Sequence, residues 1–475
     1  MTNQMVLGLD VGSTYVKVLA TTPDGAERSE ARRPTPWVSL PIGQTEMDAG
    51  QLVATVTDLL AEVAADLEAT YGDVQVVGIG VSGMAESGVL IDAAGAVAHP
   101  IIAWFDPRGE DEIVRTPDDF RAEFGGRTGL PLSALATVAK LLHLREQGVD
   151  PSAYRWLSVA EFVVHSLGGV MAAELSLASR TGMLDQDDAQ PWPRALEVLG
   201  VGPRFLPPMR AAGHPWGRVA ATAATRFLPA SVVGATLTVA GHDHLVASIA
   251  AGTLESHQLY CSMGTAEALV RVLDHPLDYA ARGRLARRGI NVLRHALPDK
   301  SIMLVGTRTG LLLRRVLQLI GVEDAAGRAD LDARVMRLPA DVVENIDTLS
   351  VTGAKNDDGV LRIRAAGDGL SPEFLFAATL RHGTETIKWH LDQMTAEVAP
   401  HTQTLLSGGW ASMESVRRER ASLWPGLTYS SRNEDTSFGA AMFGAYAAAS
   451  LRSDPPELGR FAADFCTSKH LADSP

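Results

Sequence analysis

One plan, met twice along the chain, constrains the fold more than any other feature. Residues 5–9 read as a strand, the small-residue turn Asp10-Val11-Gly12-Ser13-Thr14 follows, and residues 15–21 are again β-rich, which predicts a hairpin. Pro23-Asp24-Gly25 supplies turn chemistry at its far end. Residues 51–67 carry the apolar spacing of an amphipathic helix, and a buried strand over 74–81 ends in Ser82-Gly83. In the second half, 258–261 leads into Ser262-Met263-Gly264-Thr265, 267–273 continues as a strand, and 403–406 ends in Ser407-Gly408-Gly409. The architecture repeats although the residues do not. This predicts two related α/β domains, 1–251 and 252–475, and 475 residues are enough for two cores. The Pro-, Gly- and Arg-rich stretch 191–229 reads as loops and short elements, and the final helical run, 438–451, is expected to cross back toward the first half.

Composition narrows the partners. With 46% hydrophobic and 21% charged residues the chain is an ordinary globular protein. A formal charge of −14 argues against nucleic acid or an anionic membrane as partner. A nucleotide remains compatible, because backbone N–H groups and a metal ion hold phosphates without a basic surface. Cys261 and Cys466 lack the spacing of a metal site and read as two free thiols in a reducing compartment. The apolar stretches 159–171 and 440–449 are shorter than the roughly 20 residues of a membrane span. No basic region with an apolar stretch and cleavage site opens the chain. A soluble, cytoplasmic protein is the expectation.

Several short segments can carry chemistry, and each also has an ordinary structural reading. The turn holding Asp10, Gly12, Ser13 and Thr14 offers N–H groups and hydroxyls to phosphate and a carboxylate to a hydrated magnesium ion, or it is a hairpin turn with Asp as an acceptor. Gly264-Thr265 occupies the matching turn of the second half, so the two could grip a triphosphate from both sides, or be two plain hairpins. In Gly241-His242-Asp243-His244, between a strand and a helix, Asp243 sits where the helix dipole keeps a carboxylate ionised; it is a proton acceptor or a helix cap. The flanking histidines have no further ligand at metal spacing and read as packing or hydrogen-bonding groups. Met84-Ala85-Glu86 and Trp104-Phe105-Asp106-Pro107-Arg108 follow apolar strands, where clefts of α/β sheets form and an acid, an aromatic face and an Arg can hold a polyhydroxylated ligand; the alternative is a surface loop with a satisfied salt bridge. Gly408-Gly409 permits close approach to a flat ligand, or is loop punctuation.

In this order the segments LGLDVGSTYVKVL, GIGVSGMAESGVLIDAAG with IIAWFDPRG, AELSLASRTGMLD, AGHDHLVASIAAG, SMGTAEAL, LLSGGW and EDTSFGAAMFGAY resemble the FGGY family of carbohydrate kinases over nearly the whole chain. The resemblance implies two ribonuclease-H-like domains of the actin and sugar kinase superfamily with a cleft between them, sugar on the first and ATP on the second. It implies Asp243 as catalytic base, Asp10 and Asp243 as metal-linked carboxylates for Mg2+, and Thr14 near the transferred phosphate. Gly264, Thr265, Gly310, Gly408 and Gly409 would line the nucleotide site, and Met84, Ala85, Glu86, Trp104, Asp106 and Asp243 the acceptor site. Met84-Ala85-Glu86 departs from the Gln-Met-His of xylulokinase-like sequences. Glu86 is similar to the glutamate with which glycerol kinases hold a hydroxyl, with Ala85 in place of the arginine before it. Trp104 and Asp106 look like the pentulose kinase pattern, with Phe105 where a polar residue is common.

The expected activity is therefore ATP-dependent phosphorylation of a small ketose, polyol or sugar acid by a protein that pairs as a homodimer. The competing reading is an actin- or chaperone-like nucleotide switch, which would lack an acceptor pocket. A sugar-responsive transcription factor would want a DNA-binding module, and none is legible.

Overall fold

The computed structural model describes residues 2–467 except 223, 340–348, 356–359, 369, 431 and 433. Its frame is a pair of six-stranded sheets. The first contains β1 (Asn3–Val11), β2 (Tyr15–Thr21), β3 (Glu27–Pro34), β4 (Val74–Gly83), β5 (Gly217–Arg218) and β6 (Thr236–His242), in the order β5-β6-β4-β1-β2-β3. The second contains β7 (Gln258–Met263), β8 (Glu267–Leu273), β9 (Asn291–Arg294), β10 (Ser301–Thr307), β11 (Gln403–Ser407) and β12 (Leu427–Tyr429), in the order β9-β10-β8-β7-β11-β12. In each, a hairpin (β1-β2, β7-β8) is extended on one side by an antiparallel strand, β3 or β10, and on the other by two parallel strands. The repeated plan is thus a repeated topology, that of the ribonuclease-H-like fold.

Both faces of the first sheet are covered, so β1 is buried at every position from Met5 to Val11 rather than at alternate ones. Met5, Leu7 and Leu9 enter a core with α1 (Ala49–Tyr71), whose Leu52, Val56, Leu59, Leu60, Val63 and Leu67 form its buried stripe. Asp48 starts that helix by accepting a hydrogen bond from the Gln51 N–H at 2.8 Å. α2 (Val159–Ser166) packs into the same core.

The other face meets α6 (Asp435–Ala449), after α3 (Asp243–Ala250), α4 (Thr309–Leu319) and α5 (Pro372–Thr395) have been passed in chain order. Although it belongs to the last part of the chain, α6 lies against β1, β4 and β6 of the first sheet. The approach is close: a β-carbon on Gly8 would fall 1.9 Å from the Ser437 carbonyl oxygen, and one on Gly80 1.9 Å from that of Ala440. Only glycine permits this contact.

The second sheet packs Leu259, Cys261, Met263 and Leu269 against α4 and α5. A further core joins the halves, with Phe120, Phe124 and Trp192 sharing a cluster with Tyr260, Val270, Leu293 and Leu304. Among the described residues no helix is long and apolar enough to cross a membrane.

Candidate active site

A cavity of about 260 Å³ opens between the halves, with Ser13, Met84, Glu86, Trp104, Arg180 and Asp243 on one side and Ala266, Ala268, Asn291, Leu304 and Gly306 on the other. Ser13 follows the end of β1, Met84 that of β4, and Asp243 that of β6. The site therefore lies beyond the carboxyl ends of neighbouring parallel strands, where side chains can converge without breaking the ladder.

The segment leading to Asp243 is held from beneath. β6 shifts register between Val239 and Gly241, and Gly241 has φ 114°, a conformation suited to glycine. The Ser82 hydroxyl donates to the Gly241 carbonyl at 3.1 Å, and the His242 N–H donates to Ser176 Oγ at 3.1 Å. Ser176 Oγ in turn donates to Glu174 Oε2 at 2.6 Å, while Glu161 Oε1 accepts from the Glu174 N–H at 2.6 Å. Burial raises the carboxyls of Glu174 and Glu161, the latter to about 7.

His242 is buried, and burial together with the charge of Arg180 and His244 holds it well below the ordinary imidazole value. It is neutral, so one ring nitrogen bears hydrogen. Its Nε2 lies 3.1 Å from Asp243 Oδ1. The His244 N–H donates to Oδ1 at 2.7 Å. One hydrogen bond and a close imidazole thus flank one oxygen of Asp243, which lines the cavity.

Asp10, next to last in β1, stands opposite Lys17 on β2, and the Lys17 ammonium donates to Glu434 Oε2 at 2.6 Å. Burial pushes the Asp10 carboxyl up to about 7, against the pull of Lys17 and with the added repulsion of Asp243 and Glu434. Its Oδ1 is buried without a hydrogen-bond partner. The turn beyond is braced: Thr35 Oγ1 donates to the Gly12 carbonyl at 2.6 Å, Trp37 Nε1 to the Ser13 carbonyl at 2.8 Å, and Trp104 Nε1 to Ser13 Oγ at 2.8 Å. Thr14 is exposed.

In the second half Gly264, Gly310 and Gly408 meet. A β-carbon on Gly310 would fall 1.9 Å from the Gly264 carbonyl oxygen, and one on Gly408 2.5 Å from that of Met263. Gly264 and Thr265 form the β7-β8 turn, Gly310 is in the first turn of α4, and Gly409 is open to added atoms. Beneath the turn, Glu267 and Arg420 form a buried pair in which the single nitrogen Nη2 reaches both carboxylate oxygens at 2.9 Å.

Residues 5–250 match the model of the FGGY family of carbohydrate kinases, N-terminal domain. The chain belongs to the FGGY family. It is 27% identical to the L-fuculokinase of Escherichia coli (strain K12) over 276 residues, 57% of this chain and 57% of that protein. It is 21% identical to the gluconokinase of Bacillus subtilis (strain 168) over 483 residues, 95% of this chain and 89% of the relative. Among solved structures, the xylulose kinase from Rhodospirillum rubrum superposes with a TM-score of 0.80 at 22% identity, covering 97% of this chain and 92% of that one. Plasmodium falciparum glycerol kinase with ADP gives 0.82 at 15% identity, covering 97% and 93%. These likenesses show the two-domain sugar kinase fold.

Read as an FGGY chain, the structure brings Ser13, Met84, Ala85, Glu86, Trp104 and Asp243 to one cavity. Asp106 is not in that lining. Its carboxylate accepts from Arg108 Nε at 2.9 Å, Arg108 Nη2 at 2.8 Å and the Thr45 N–H at 2.6 Å, so it braces the loop instead. Arg180, which pairs with Glu86, and Asp435, which accepts from Ser407 Oγ at 2.6 Å, had no role in the reading of the sequence. Both stand inside segments that carry the resemblance, but no spacing links them to partners far away in the chain.

Proposed function

We propose that the chain is an ATP-dependent carbohydrate kinase that transfers a phosphoryl group to a hydroxyl of a small sugar or polyol, with the acceptor on the first half and the nucleotide on the second. The observation that carries this reading is Asp243: its Oδ1 accepts from the His244 N–H and lies 3.1 Å from His242 Nε2, and the residue lines the cavity between the halves. An acid so held is oriented toward an acceptor hydroxyl and can take its proton as the oxygen attacks.

The residues fit a magnesium-bound nucleotide. Among the described residues no three His, Cys, Asp or Glu side chains group as a metal site. Magnesium bound with phosphates needs only one or two carboxylates, and Asp10, with a buried oxygen lacking a partner, and Asp243 offer these. Bound there, the ion would supply positive charge to the transferring phosphoryl group. The Gly12, Ser13 and Thr14 turn would hold phosphate from one half, Gly264 and Thr265 from the other, with Gly310, Gly408 and Gly409 against the base. Gluconokinase, L-fuculokinase, xylulose kinase and glycerol kinase among the relatives support an acceptor of this size.

The test is ADP release from MgATP across pentuloses, tetruloses, linear polyols and sugar acids, with wild type beside Asp243→Asn. Acceptor-dependent release that falls by roughly two to four orders of magnitude in the variant is the expected outcome. Undiminished turnover in Asp243→Asn removes that residue from the chemistry. Silence of the wild type across the panel, with ATP still bound, favours the nucleotide switch.

A further inference from the structure

Glu86 is a non-glycine residue with φ 65°, three residues beyond the end of β4. Its carboxylate and the Arg180 guanidinium form an ion pair whose side chains are 5% and 11% exposed, and both line the cavity. Arg180 Nε and Nη1 are buried without a hydrogen-bond partner. Donors left in this way cost free energy until something enters to accept from them. Arg180 lines the cavity together with His242 and Asp243, the proton acceptor.

We propose that Arg180 is a specificity-determining residue which, together with Glu86, reads two adjacent hydroxyl groups of the acceptor, so that the preferred substrate is a neutral polyol or ketose with a vicinal diol. This rests on the kinase reading above. A hydroxyl both donates and accepts, so one can accept from the guanidinium while its neighbour donates to the carboxylate. Because the two head groups touch, the hydroxyls they bind must be neighbours too.

The charges argue against a sugar acid. Among the described residues, the lining holds the carboxylates of Glu86 and Asp243 and the guanidinium of Arg180, which Glu86 already neutralises. A third carboxylate would enter without a free cation to meet it, and a desolvated like charge is costly. The walls of Met84, Ala85, Leu130 and Leu135 suit a carbon skeleton. Ala85 leaves the position beside Glu86 without a cation, and Arg180 supplies one from a distant segment of the chain.

The experiment uses the full chain with D-xylulose, D-ribulose, ribitol, glycerol and D-gluconate as acceptors, followed by mono-deoxy analogues of the one that turns over best. Wild type, Arg180→Gln, Arg180→Lys and the charge-neutral double variant Arg180→Gln with Glu86→Gln are compared, with circular dichroism melts to establish folding. Arg180→Gln is expected to raise acceptor KM about ten- to a hundredfold, with a smaller change in kcat and an unchanged KM for ATP. It should also lose the wild type's discrimination against a deoxy analogue lacking one hydroxyl of the pair. Should Arg180→Gln not fold, the double variant carries the same test. Retained wild-type KM and discrimination in a folded variant overturns the inference while leaving the kinase intact. So does a wild-type preference for D-gluconate that only Arg180 variants lose. Absence of turnover with every acceptor in the wild type overturns both readings.

Discussion

Gly241 shows how much of the site depends on one backbone position. Its φ of 114° bends the chain between β6 and α3, and a β-carbon there would lie 2.8 Å from Ser176 Oγ, the atom that accepts from the His242 N–H. Alanine would strain the turn and disturb the serine together. Gly241→Ala is expected to cost about 1–3 kcal/mol of stability and to lower kcat by about tenfold or more with little change in acceptor KM. Urea denaturation and steady-state kinetics check the two parts; a variant equal to wild type in kcat would show that this segment does not position Asp243. The motif around Asp243 was legible as a strand-to-helix junction, since a run of apolar residues, a glycine and an acid announce one. The brace from Ser176, Glu174 and Glu161 was not, because hydrogen bonds between distant segments leave no periodic trace in the chain.

At the scale of elements, the docking of α6 on the first sheet decides how the halves are joined. Lys17 on β2 pairs with Glu434 just before α6, and Asp435, first in the helix, accepts from Ser407 Oγ at the end of β11 in the second sheet. The helix therefore spans from the nucleotide side of the proposed site to the back of the acceptor side. Its closeness to the sheet is set by Gly8 and Gly80, and Gly80→Ala must push helix backbone away. A loss of about 2–3 kcal/mol in urea denaturation is the expected result. Gly202→Ala, at a position with nothing within 4 Å, should leave stability nearly unchanged and serves as the control. Equal midpoints for the two variants would refute the close docking. The helical run itself was readable from its small apolar residues, and so was its return to the first half as an expectation; its fit against the sheet glycines Gly8, Gly78 and Gly80 needed the third dimension.

Over the whole molecule, several carboxyls are buried and held above their ordinary values, with Asp10 and Glu161 both near 7. An acid whose folded pKa is raised supports folding while it is protonated, and this support is lost as pH rises through the folded value. Histidines held low by burial, such as His242, His295 and the half-buried His401, act in the opposite direction, but only below the ordinary imidazole value of 6.5. From pH 6.5 to 8 the carboxyls outweigh Lys140, whose ammonium burial lowers to about 8 and which adds stability as pH rises toward that value. The metal-free protein is expected to lose about 1–2 kcal/mol across that window, seen as a falling thermal midpoint. A midpoint that stays level or rises would mean these acids are better solvated than their burial implies.

Local order along the chain was enough to read two α/β halves, their matching hairpin turns and a minority of the cavity residues, Ser13, Met84, Ala85, Glu86, Trp104 and Asp243, because strand runs, turn glycines and helix starts are short-range consequences of backbone sterics and side-chain polarity. Glu86 and Asp243 were visible as chemistry-bearing residues for the same reason. The tertiary structure decided what touches what. It turned Asp106 from a ligand contact into a brace for its own loop, gave Glu86 the guanidinium of Arg180, and set Gly310 against Gly264. These pairings depend on the packing of segments far apart in the chain, where burial removes water and makes each polar group find its partner in space rather than in sequence.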